Sequence, residues 1–153
     1  MVEEVYVTKA IAAWLMHANW KIERIALPRG GGLELLPNGA KPRKGERGVV
    51  PDIVARHQVA GVLLVESKPQ PNLDDAAKLV ALKSGAYDDS INFFLRVQAK
   101  DLLLGVGFGL PVVDLRIQSR VQERIPLGFG VSKSGAVTVE WNRYEDLTRT
   151  ERF

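Results

Sequence analysis

The chain has 153 residues, a charged fraction of 25% and a net charge of +3, the proportions of one globular domain with a full core. It has no cysteine, which excludes disulfides, thiolate metal sites and a cysteine nucleophile. No apolar run is long enough to span a membrane, and the acidic opening Met1-Val2-Glu3-Glu4 lacks the basic start of a secretory leader, so a cytoplasmic protein is expected, with a basic excess that permits an anionic partner.

Glu3 to Asn19 reads as a helix, with Val7, Ile11, Trp14, Leu15 and Ala18 at helical spacing. Its two leading glutamates suit the positive end of the helix dipole. Trp20–Leu27 alternates in the manner of a first strand, and Pro28-Arg29-Gly30-Gly31-Gly32 breaks it. No Gly-Lys-Ser/Thr follows these glycines, so they do not form a phosphate-binding P-loop. Leu33–Leu36 is a short strand candidate before the turn chemistry of Pro37-Asn38-Gly39. Lys41-Pro42-Arg43-Lys44-Gly45-Glu46-Arg47 is the strongest basic cluster. Cations on such a loop suit nucleic-acid phosphates.

Two strands follow, Asp52–His57 and Val62–Lys68, joined by a short turn that His57, Ala60 and Gly61 help to form. The Val-Leu-Leu-Val run of the second is that of a strand buried on both faces. Alternate residues of a strand share a face, so Glu66 and Lys68 point one way and Ser67 the other. Pairing of the two strands brings Asp52 beside Glu66 and Lys68. Two carboxylates bind a hard divalent cation, and an ammonium beside them suits work on a phosphodiester. After an exit loop that holds Gln70, Asn72 caps a helix over Leu73–Ser84 that ends before Gly85. Leu73, Ala76, Ala77 and Val80 are expected on its buried face, with Asp74, Asp75, Lys78 and Lys83 elsewhere.

Asp89 and Ser90 are candidate caps of a second helix carrying Ile91, Phe94, Leu95 and Val97. Leu102–Leu110 reads as a buried strand loosened by glycines. Val112–Ile125 fits a strand by its alternation and a helix by the stripe Arg116, Arg120, Arg124. Either way the arginines share a face, open to a DNA backbone or a partner subunit. Leu127–Ser132 and Ala136–Arg143 flank Lys133-Ser134-Gly135 as a hairpin, with Trp141 in the core or at an interface.

Pro51-Asp52 followed after thirteen residues by Glu66-Ser67-Lys68 resembles the motif of the PD-(D/E)xK nuclease superfamily, and the order strand, strand, helix agrees with that likeness. The resemblance covers about Glu3 to Leu82. It implies a single α/β domain over residues 1–153, with a restriction-endonuclease-like core, a mixed central sheet flanked by helices, and an added C-terminal β-hairpin. It further implies metal-dependent hydrolysis of DNA, with RNA left open, leaving a 5′-phosphate. Asp52 and Glu66 would bind Mg²⁺ or Mn²⁺ with the Ser67 backbone carbonyl, Glu4 being a further candidate ligand, and Lys68 would position or activate the attacking water. Lys41, Arg43, Lys44, Arg47, Gln70, Arg116 and Arg120 are the candidate nucleic-acid contacts. One such site cuts one strand, so double-strand cutting implies a homodimer. Two other classes stand beside this one: a DNA-binding or regulatory protein of the same fold with weak or no nuclease activity, and an unrelated mixed α/β interaction protein in which Asp52 and Glu66 lie far apart or face solvent.

Overall fold

The computed structural model describes residues 2–39 and 48–144. The basic cluster at 41–47 lies outside them, and with it the expected phosphate contacts Lys41, Arg43, Lys44 and Arg47. Helix α1 (Glu4–His17) is followed by strands β1 (Lys21–Ile25), β2 (Ile53–His57) and β3 (Gly61–Lys68), then helix α2 (Leu73–Ala81). A short α3 (Asp88–Ser90) runs into a π-helical turn, Ile91–Leu95, before β4 (Leu103–Gly109), α4 (Leu115–Arg124) and the hairpin β5 (Leu127–Val131) and β6 (Val137–Asn142). The strands make one six-stranded sheet in sequence order. β1, β2 and β3 pair antiparallel, β4 and β5 continue parallel to β3, and β6 closes antiparallel.

The mixed direction follows from the connections. Short turns join the antiparallel neighbours β2–β3 and β5–β6, a longer stretch separates β1 from β2, and the parallel steps β3–β4 and β4–β5 need crossovers, which α2 and α4 supply. Helix α1 covers one face of the sheet: Val7, Ile11 and Leu15 form one apolar cluster with Ile53, Leu63, Val65 and Phe129. On the other face Val54, Leu64 and Phe108 pack with Ala76 and Leu79 of α2 and Val121 of α4. Val62 to Val65 have no exposed surface, as expected of a strand with neighbours on both edges and helices on both faces.

Three expectations are corrected by this packing. The buried stripe of α2 is Asp75, Ala76 and Leu79, continuing to Leu82; Ala77 and Val80 are exposed. The apolar residues fit either of two adjacent stripes, and the face was chosen by where β3 and β4 receive the helix. The second helix expected after Asp89 and Ser90 is a short α3 followed by the π-helical turn, which buries Ile91 and Leu95 and leaves Phe94 exposed. The glycines of β4 do not loosen that strand. A Cβ at Gly107 would collide with Ile11, and one at Gly109 would lie 2.9 Å from Val2 Cβ, so the bare backbone lets α1 lie close against β4.

Val112–Ile125 resolves as helix from Leu115 on. The Asp114 carboxylate accepts from the amides of Arg116 and Ile117 at 3.0 and 3.1 Å, an N-cap that decides between the two periodicities. Trp141 is a core residue, stacked on Phe108 at 5.7 Å and donating from its indole to the Ile125 carbonyl at 2.8 Å. Among the described residues no helix is long and apolar enough to cross a membrane.

Candidate active site

The antiparallel register of β2 and β3 pairs Ile53 with Val65 and Val54 with Leu64, so the next step outward sets Asp52 opposite Glu66. Opposed residues of an antiparallel pair share a face, here the face covered by α2. The Asp52 carboxylate accepts from the Ser67 amide at 2.7 Å, while its own carbonyl accepts from Ala26 at 2.8 Å. Asp52 is thereby fixed to both neighbouring strands. The separation expected of an unrelated chain does not occur.

Burial drives the electrostatics. Glu66 is 8% exposed, and its burial, followed by the charge of Asp52, pushes its carboxyl up to about 9. Burial also raises Asp52, against the opposing effect of the Ser67 amide. The hydrogen bond between the two carboxyls lowers Asp52 and raises Glu66, favouring the proton on Glu66. Two acids sharing one proton are a response to low dielectric and like charge. A divalent cation would fill the same role from outside.

Lys68 crosses the mouth of this pair. Its ammonium lies 3.2 Å from Glu4 Oε1 and 3.8 Å from Asp75 Oδ2. Desolvation would lower its pKa, but Glu4 and Asp75 outweigh that and raise it, so it is a cation throughout the neutral range. Glu4 therefore neutralises Lys68. Among the described residues no three acids or histidines are grouped so as to hold a metal; the donor set that fits is two hard oxygens from Asp52 and Glu66, which suits a cation that keeps several waters, as Mg²⁺ does.

Asp75 is the functional candidate that the sequence did not reveal. It is 5% exposed, raised by burial, and 4.0 Å from Lys78. The Asn72 side chain caps α2 by accepting from the Asp74 and Asp75 amides at 2.9 and 3.1 Å, which sets Asp75 toward Lys68. The available signal was the spacing of Asp75 from Leu79 and Leu82 along one stripe, together with Lys68 needing a partner.

The remaining candidates fall elsewhere. Gln70 braces the loop after β4: its amide donates to the Pro111 carbonyl at 3.1 Å and accepts from Val113 at 2.8 Å. His57 accepts from the Val59 and Ala60 amides, a turn role as read from the sequence. Arg116 and Arg120 are exposed on α4, one strand or more removed from the acid pair. The Ser67 hydroxyl is buried without a hydrogen-bond partner among the described residues, on the α1 side of β3.

Compared with protein-family models, with curated proteins and with solved structures, the chain finds no match. What defines the site is its own geometry on a mixed α/β sheet.

Proposed function

We propose that the chain is a metal-dependent nuclease that hydrolyses phosphodiester bonds in DNA, with a centre resembling the PD-(D/E)xK type. The observation that carries this reading is the register that sets Asp52 opposite Glu66, with the Lys68 ammonium at the same end of β3. Asp52 and Glu66 would hold Mg²⁺ or Mn²⁺. Such an ion, when bound, polarises a phosphoryl oxygen and lowers the pKa of a bound water.

The chain's own residues then have separate tasks. The Ser67 amide holds Asp52 in place, and the burial of Glu66 keeps water from competing for its oxygens. Lys68, being an ammonium, works by donating hydrogen bonds to the attacking water and to the phosphate, not by taking a proton. Glu4 and Asp75 fix where that ammonium sits. Both are positioning residues, since they act through Lys68.

Plasmid cleavage in Mg²⁺, Mn²⁺ and EDTA tests the reading, with wild type beside Asp52→Asn and Lys68→Ala. Cutting that needs metal and falls below detection in Asp52→Asn is the expected result. Lys68→Ala is expected to lose about 10²–10³-fold, the range for removing one fixed hydrogen-bond donor from a developing charge. A wild type that binds DNA but cuts neither plasmid, branched DNA nor RNA in either metal would overturn the nuclease and leave a DNA-binding protein of the same fold.

A further inference from the structure

On the α2 face of the sheet, beyond the acid pair, lies an open groove of about 640 Å³. Lys21 and Arg24 of β1 and Arg56 of β2 form its floor, and Phe94 and Arg96 its wall. One acid, Glu23, lies among these cations, and it is taken by Arg56. Arg56 also donates to the Leu95 carbonyl at 2.6 Å, joining floor to wall. Among the described residues, Lys21, Arg24 and Arg96 are exposed and make no ion pair. Three cations are left facing solvent.

The wall is built in an unusual way. The π-helical turn Ile91–Leu95 buries those two residues and leaves Phe93 76% and Phe94 47% exposed. Their rings meet edge to face at 4.9 Å. Arg96, which ends the turn, has φ +56°, a left-handed conformation that costs a non-glycine residue free energy. A π turn, a strained cation and two aromatic rings in water together mark a surface shaped for a ligand.

The ligand chemistry follows from what the groove offers. Unpaired cations take phosphates, and exposed rings take the faces of bases. A duplex hides its base faces, so the rings suit an unpaired strand. Arg24 is opposite Val54 in the register, and Val54 is two residues from Asp52 on the same face, roughly 7 Å along the strand. A strand leaving the acid pair along β2 meets Arg24 first.

We propose that this groove binds an unpaired nucleic-acid strand, Lys21, Arg24 and Arg96 contacting phosphates and Phe93 and Phe94 stacking on bases. This rests on the nuclease reading and narrows it to substrates with a single-stranded segment beside the cut.

The test is fluorescence anisotropy of the full chain in EDTA, with a labelled oligothymidine and a blunt duplex of equal length. Phe93→Ser/Phe94→Ser is expected to weaken oligothymidine binding by about tenfold or more, the scale of a lost base–aromatic stack, and to leave duplex binding unchanged. Arg24→Gln/Arg96→Gly is expected to reduce the slope of log affinity against log salt by about 0.7 for each phosphate contact removed. Both variants replace exposed side chains, and melting temperatures verify that they fold. The groove assignment is overturned if both variants bind oligothymidine as wild type does, if wild type prefers the duplex, or if polyglutamate displaces oligothymidine stoichiometrically, which would reassign the groove to an acidic protein segment. Plasmid cutting separates the two readings. Binding through the groove without any metal-dependent cutting overturns the nuclease alone, whereas cutting that the groove variants retain in full, with unchanged oligothymidine binding, overturns the groove alone.

Discussion

The acid pair and the basic groove lie on the same face of the sheet and share β2, yet they hold charge in opposite ways. Asp52, Glu66 and Asp75 are withdrawn from water and lean on one another and on Lys68. Lys21, Arg24 and Arg96 stand in water and lean on nothing among the described residues. Buried charge is expensive unless paired, so the first region strains the fold. Exposed charge costs little and is screened by salt, so the second can be altered freely. The contrast separates the proposed catalytic point from the proposed strand-binding surface.

The sharpest way to break the comparison is Glu66→Gln. A carboxyl raised from 4.5 to about 9 keeps its proton in the folded chain where the unfolded chain has lost it. The folded state then binds more protons between those values, so stability falls as pH rises through that window, by on the order of 1 kcal/mol per pH unit at most. The amide cannot ionise. Glu66→Gln in EDTA is therefore expected to melt higher than wild type at pH 8 and to match it near pH 5, while losing activity. Thermal melts at the two pH values decide this; equal melting at pH 8 would mean that the acid pair is not strained.

Asn72→Ala acts one step away. Loss of an N-cap costs about 1 kcal/mol, read as a lower denaturant midpoint with unchanged slope. Because the cap also aims Asp75 at Lys68, the rate of cutting is expected to fall several-fold with KM unchanged. A stability loss with full activity would make Asp75 a structural ion-pair partner only.

The smallest effect belongs to the groove. Arg24→Gln is expected to change stability by less than about 0.5 kcal/mol, as for exposed sites generally, and Arg96→Gly to raise it slightly, since glycine accepts the left-handed conformation at no steric cost. Urea titrations verify both. A large loss in either would show that the groove is held together by these cations, and the comparison with the acid pair would fail.

The sequence was informative where the chain meets itself nearby. The β2–β3 pair, the Asn72 cap and the meeting of Asp52, Glu66 and Lys68 were all legible, because a short turn leaves one register that buries Val62–Val65. Asp75 was not legible: an acid in the first turn of a helix is ordinarily a solvated partner of the dipole, and only the docking of α2 onto β3 buries it. The groove was missed for a similar reason. Lys21, Arg24, Arg56 and Arg96 are scattered over three segments, and nothing local gathers them. The arginine stripe of α4 is legible through its regular spacing, and its residues are exposed on that helix.

The glycines of β4 carry one more implication. Helix α1 is the first element of the chain, yet the bed on which Ile11 and Val2 rest is completed only by Gly107 and Gly109 of β4. Glu4, at the head of that helix, thus reaches Lys68 only when a much later segment has taken its place in the sheet. A partly synthesised chain that has made β2 and β3 already possesses both acids and the lysine, but not the contact that fixes the ammonium. The candidate site matures with the fold, and an incomplete molecule carries its parts without their arrangement.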